Sequence, residues 1–169
     1  NAGYLLPITD QAVVDQLTEG VLDGPMETAF WDDELVATPF WANTQLLWFR
    51  RSVAEEAGLD PTVDGGVTWG ELIDAAEATG TRIGVQARRY EGYMVWINAL
   101  IASAGGTIIE DADAGADAVP SMAGEAGNAA AEVVRRLARS SAAAADLTTA
   151  GEEEARSLFQ GDSGSFMVN

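Results

Sequence analysis

Val36 to Arg51 reads V-A-T-P-F-W-A-N-T-Q-L-L-W-F-R-R, an apolar run broken at its centre by Asn43, Thr44 and Gln45. Leu35, Ala37 and Trp41 alternate with Val36, Thr38 and Phe40 before the break, and Leu46 and Trp48 with Leu47 and Phe49 after it. That period of two predicts two short buried strands flanking a polar interruption. Amides and hydroxyls left unpaired in a buried run cost roughly 1–3 kcal/mol each, so these three side chains need partners. Two arrangements supply them. One is an irregular strand whose polar groups satisfy one another beside a core tryptophan at Trp41; the other is a crossing between two lobes that opens onto a cleft.

Working outward, Thr9 or Asp10 can cap a helix carrying Val13, Val14 and Leu17 that ends near Gly20. A short helix from Pro25 to Phe30 and an acidic turn over Trp31 to Glu34 then lead into the first strand. Downstream, three stretches match the capping box, in which a hydroxyl and a carboxylate three positions apart satisfy each other's backbone donors. They are Ser52 to Glu55, Thr68 to Glu71 and Thr149 to Glu152. The first predicts a helix closed by Gly58, the second a helix carrying Leu72, Ile73 and Ala76 as far as Gly80, and the third a helix reaching Phe159. Strands are expected over Arg82 to Gln86 and Thr107 to Ile109, and helices over Tyr93 to Ala104 and Glu125 to Ser140. Alternating helices and strands make this an α/β protein.

Composition narrows the chemistry. With 169 residues, 47% of them apolar, the chain has room for one sizeable domain, or for one lobe with part of another. Nine basic residues, all arginine, against 27 acidic ones give a net charge of −18, which repels nucleic-acid phosphates and anionic headgroups. Cysteine and histidine are both absent, so disulfides, thiolate chemistry, imidazole bases and ordinary zinc sites are excluded within these residues. No run approaches the ~18 consecutive apolar residues of a membrane span. The chain starts without methionine and stops after Ser165 to Val168, which still read as strand; it is expected to be a fragment.

Several constellations carry candidate chemistry. Tyr90, Glu91 and Gly92 precede an apolar helix, so that an aromatic and a carboxylate sit at its N-terminus. Either Glu91 complements the helix dipole on a surface loop, or the pair offers a face and an acceptor to a sugar ring. Arg88 and Arg89 either brace Glu91 or face water. Asp111, Asp113 and Asp117 suggest a calcium loop, but the glycine falls at the wrong position and no glutamate closes twelve residues, so no metal is expected there. Gly161 and Gly164 bracket a turn with no lysine to complete a phosphate cradle. Asp32 and Glu91 have no spacing that supports a glycosidase pair. Trp69 and Trp96 fall at helical core positions.

The order of these stretches resembles family 1 extracellular solute-binding proteins, the sugar receptors of ABC importers. G-Y-L-L-P-I-T at Gly3, the Val36 to Arg51 run, T-W-G-E-L at Thr68, Y-E-G at Tyr90 and L-F-Q-G-D-S-G-S-F-M-V-N at Leu158 occur in the family's sequence. The resemblance implies a type II periplasmic-binding-protein fold, with residues 1–43 the end of the N-terminal lobe and first hinge strand, and residues 44–169 an incomplete C-terminal lobe. It implies a binding protein and not an enzyme, held outside the cytoplasm by a lipid anchor beyond these residues, with ABC permease subunits as partners and no cofactor. Asn43 and Thr44 would bond sugar hydroxyls, with Trp41 as an apolar face, and Tyr90, Glu91 and Gly92 would form a second contact. Maltose receptors of the family carry glutamate where Asn43 stands, which implies a different sugar. The Tyr-Glu-Gly is similar to that of the trehalose and related disaccharide receptors of actinobacteria. A glycoside hydrolase module, a non-catalytic surface domain and a same-fold receptor for another solute are the alternatives.

Overall fold

In the computed structural model, which describes residues 3–169, the chain forms two compact units, Asn1–Thr44 and Gln45–Asn169. In the first, the Asp10 carboxylate accepts from the backbone N–H groups of Ala12 and Val13 and starts helix α1, Gln11–Thr18. This is the expected cap. Helix α2, Asp23–Glu27, begins earlier than Pro25, because Pro25 occupies the first turn, where its missing N–H costs nothing. The acidic turn proves to be the tip of a hairpin: β1, Phe30–Trp31, pairs with β2, Glu34–Leu35. Asp32 and Asp33 both adopt left-handed φ, 50° and 62°, as a tight two-residue connection requires. Ala29 and Leu35 are the buried residues of this unit.

The strand expected before the polar break does not form. Val36 donates to the Ala29 carbonyl, but residues 37–45 build no ladder with any described residue, and pairing resumes only at Leu46, which exchanges backbone hydrogen bonds with Asn169. Phe40 is 92% exposed and Trp41 75%, where burial was expected. Alternation describes the sequence correctly, yet a strand is stabilised by its partner, and here none lies alongside.

In the second unit a three-stranded sheet has the order β3-β7-β4, with β3 at Leu47–Phe49, β4 at Arg82–Gly84 and β7 at Gly164–Val168. Strand β3 runs antiparallel to β7 and β4 runs parallel to it. All five residues of the central strand β7 are buried. Helix α3, Arg51–Glu56, follows β3, and α4, Trp69–Ala78, precedes β4. Next come α5, Glu91–Ser103, and a small hairpin of β5, Ile109–Glu110, with β6, Val119–Pro120. Helices α6, Glu125–Arg139, and α7, Glu152–Gln160, complete the unit.

Side-chain alternation assigns the helices to the two sheet faces. Ile83 and Val85 join Leu72, Ile73 and Ala76 of α4 in the core, together with Trp96, Ile101, Leu137 and Phe166. Between them Gly84 points the other way, where a Cβ would meet the Ala155 backbone of α7 at 2.9 Å. Gly164 is equally constrained, since a Cβ there would lie 2.3 Å from the Leu158 carbonyl oxygen, so α7 lies directly on the backbone of β4 and β7. Only glycine admits that approach.

Of the three capping boxes, Thr68 with Glu71 forms as read, at 3.2 and 2.7 Å. The helix expected at Ser52 begins instead after Arg50, whose guanidinium reaches the carbonyls of Gly164, Phe159 and Gly161 at 2.7, 2.6 and 2.8 Å. The Thr149 hydroxyl closes a 3-10 turn onto the Asp146 carbonyl, and α7 starts after Gly151, whose N–H donates to Glu154 at 2.8 Å. Gly58 and Gly80, at φ 68° and 67°, close α3 and α4 as expected, and Gly105, at φ 77°, closes α5.

Candidate functional site

Both β4 and β7 point their carboxyl ends to one edge of the sheet, the place where open α/β sheets hold ligands. Gln86, two residues beyond β4, is 1% exposed, and its Nε2 donates to the Val168 carbonyl at the end of β7, 2.7 Å away. A carbonyl only accepts, so this bond fixes the orientation of the amide and leaves Gln86 Oε1 to receive Gln45 Nε2 at 3.3 Å. Gln45 Oε1 then stands buried without a partner. The next residue after β7, Asn169, places its Nδ2 3.5 Å from the Glu152 carbonyl at the first turn of α7.

Beside these amides lies the loop Ala87 to Tyr90. The N–H groups of Ala87 and Arg88 both donate to the Ala150 carbonyl, at 3.1 and 3.0 Å, pinning the loop to the start of α7. Tyr90 is the residue that enters α5, and Glu91 and Gly92 form the first turn of that helix. They were expected on a loop ahead of it; the helix begins earlier because Tyr90, with extended φ and ψ, already serves as its cap residue. Arg88 does not brace Glu91: its guanidinium stacks on the Tyr90 ring at 4.5 Å. It also faces the Glu154 carboxylate, whose pKa is held below the usual carboxylate range chiefly by the Gly151 N–H.

The Tyr90 hydroxyl is buried without a hydrogen bond of regular geometry. Burial first, and then the facing Glu152 carboxylate, push its pKa up to about 12. Gly92 is buried beneath both groups. Glu91 and Glu152 are exposed.

The expected site residues fall into two groups. Tyr90, Glu91 and Gly92 lie together in the second unit with Gln45, Gln86, Glu152 and Asn169, four residues outside the expected set. A polar glutamine directly after a buried strand was the sequence signal for Gln86; Glu152 had none, since it reaches the site only by folding. Trp41, Asn43 and Thr44 belong to the first unit, where all three are exposed. The Asp111 to Asp117 stretch includes a 3-10 helix, and no cluster of metal-ligating side chains exists among the described residues. Trp96 is core, with Trp69 packed on it at 5.6 Å. A concavity of about 740 Å³ is lined by Val67, Trp69, Leu72, Leu100, Ala130 and Val168 among others, and by none of Gln86, Tyr90, Glu91 or Glu152.

These features define an α/β binding lobe with the fold of type II periplasmic binding proteins. The sequence profile of bacterial extracellular solute-binding proteins matches residues 1–169, and the chain belongs to that family. A maltose-bound MalE3 of T. maritima is 27% identical, with a TM-score of 0.80 over 99% of this chain and 42% of its own. The GacH receptor of Streptomyces glaucescens, solved unliganded and with acarbose, is 23% identical with a TM-score of 0.74, over 99% and 41%. A sugar transporter protein of Arthrobacter chlorophenolicus with bound laminaribiose is 15% identical with a TM-score of 0.71, over 94% and 39%. The chain thus spans well under half the length of these structures. Among the described residues no helix is long and apolar enough to cross a membrane.

Proposed function

We propose that this protein is the extracytoplasmic receptor of an ABC importer and captures a neutral sugar, a disaccharide in particular, without making or breaking a bond. In this reading residues 1–43 close the N-terminal lobe and supply the first hinge strand, and residues 44–169 belong to the C-terminal lobe. Trp41, Asn43 and Thr44 would meet the sugar from the crossing, and Tyr90, Glu91 and Gly92 from the sheet edge. The observation that carries the reading is the cluster of amides, carboxylates and a tyrosine at the carboxyl ends of β4 and β7. Amides and carboxylates hydrogen-bond hydroxyls, and an aromatic face packs on the C–H face of a pyranose. Family membership and the sugar complexes of similar structures support the same class.

A sugar that touches both lobes only when they close shifts a hinge equilibrium toward the closed form, which the permease subunits would read. A lipid anchor beyond these residues would keep the receptor at the cell surface. Calorimetric titration of the full-length protein with maltose, trehalose, laminaribiose and sucrose tests the reading. Micromolar or tighter binding of one of them supports it, and a phosphorylated or acidic compound as the tightest ligand overturns it. Incubation with chromogenic glycosides should release no product.

A further inference from the structure

We infer that Glu152 is a ligand-contacting acceptor of this site, positioned over Gly92 by Tyr90, and that it selects ligands presenting a hydroxyl donor. The inference rests on the sugar-receptor reading above. A Cβ on Gly92 would lie 2.3 Å from Tyr90 Oη and 2.9 Å from Glu152 Oε1, so phenol and carboxylate meet directly above its Cα. Both groups come from different elements, the entry to α5 and the first turn of α7.

The Tyr90 hydroxyl does not reach a sugar, which Tyr90 could meet only with the free face of its ring. The oxygen is buried, and one face of the ring is covered by Arg88. A phenol has one proton and a carboxylate only accepts; the Tyr90 hydroxyl has no other partner, and turning its proton toward the Glu152 carboxylate beside it would fix that carboxylate's rotation. Through that hydroxyl Tyr90 is a positioning residue. The backbone around the pair is equally fixed: Ala150 holds the Arg88 N–H, Glu154 holds the Gly151 N–H, and Asn169 reaches the Glu152 carbonyl.

The remaining lone pairs of Glu152 face solvent at the sheet's carboxyl edge, and Glu91, the first residue of α5, is exposed as well. Both are acceptors only. A hydroxyl can donate to either, whereas a carboxylate, a phosphate or a methylated oxygen leaves them unpaired or repelled, which is how a polar site rejects a near-isostere. The class taken is thus a neutral polyol or sugar with free hydroxyls at the position reached by Glu152.

The test is a double-mutant cycle on the full-length protein, titrated with maltose, trehalose and laminaribiose. Glu152→Gln keeps the size of the side chain and is expected to weaken the bound sugar about 10- to 100-fold, the range for a hydrogen bond to a charged group. Tyr90→Phe should weaken it about tenfold in the wild-type background and have no effect beside Glu152→Ala, a coupling that simple loss of packing would not produce. The 13Cζ resonance of labelled Tyr90 should shift in Glu152→Gln, reporting the contact without ligand. If a sugar binds and neither Glu152 substitution changes Kd by more than about twofold, this assignment fails while the sugar reading stands. If none of these three sugars, nor sucrose, binds the wild-type protein, both fall together.

Discussion

Replacing Arg50 by methionine removes a side chain that ties the end of β3 to the end of α7. Its guanidinium donates to the carbonyls of Gly164, Phe159 and Gly161 at 2.7, 2.6 and 2.8 Å, and stacks on the Phe159 ring at 5.4 Å. The carbonyls of Phe159 and Gly161 fall at the α7 C-terminus, where no intrahelical N–H remains for them. A hydrogen bond from a charged donor is worth about 1.5–3 kcal/mol. Three partly solvated ones sharing a single guanidinium, less the packing that methionine retains, give a loss of about 3–5 kcal/mol. Urea unfolding of the full-length protein, followed by circular dichroism, measures the loss, and hydrogen exchange over residues 152–168 localises it. Arg50→Lys should recover only part of it, since an ammonium lacks the planar fork. Arg51→Met, at an exposed neighbour, should stay within about 0.5 kcal/mol of wild type. An Arg50→Met protein indistinguishable from Arg51→Met, with unchanged exchange in α7, would refute the clamp.

Gly92→Ala would drive a methyl into the Tyr90 hydroxyl and the Glu152 carboxylate; sugar affinity should fall at least about tenfold while unfolding shows an overpacking cost of about 1–3 kcal/mol. Gln86→Leu breaks the amide relay and strands the Val168 carbonyl, for a loss of about 1–3 kcal/mol in urea unfolding. Glu71 accepts from the Thr68 N–H and hydroxyl, which lower its pKa from the ordinary 4.5. Its contribution is therefore fully present above that value and is lost as pH falls through the folded value, so Glu71→Gln should flatten the acid limb of a Tm-against-pH curve. Binding of a neutral sugar should change less than about twofold between low and high salt.

Local signals in the sequence carried most of the helices. Asp10, Thr68 with Glu71, and Gly58, Gly80 and Gly105 each act within a few residues of themselves, and each does in the structure what its type dictates. The other two helix starts departed from the reading: α3 begins after Arg50, whose side chain reaches the far end of α7, and the Thr149 hydroxyl bonds the Asp146 carbonyl while α7 begins at Glu152. The alternation before the polar break was real, but a strand exists by pairing and the sequence does not say what pairs with it. At the candidate site, Tyr90, Glu91 and Gly92 were singled out because an aromatic, a carboxylate and a glycine stood together ahead of a helix, and the structure places them at the start of α5. Glu152 and Asn169 were not, because only the parallel pairing of β4 with β7 and the seating of α7 on their glycines bring them there.

The central claim, that the polar carboxyl edge of β4 and β7 holds the sugar, is tested most directly by NMR amide-shift mapping. The full-length protein is titrated with whichever of maltose, trehalose, laminaribiose or sucrose binds best. Shifts concentrated at Gln86 to Gly92, Glu152 and Asn169 are predicted. Shifts confined to the concavity around Val67, Trp69 and Ala130, with the carboxyl edge silent, would contradict the account.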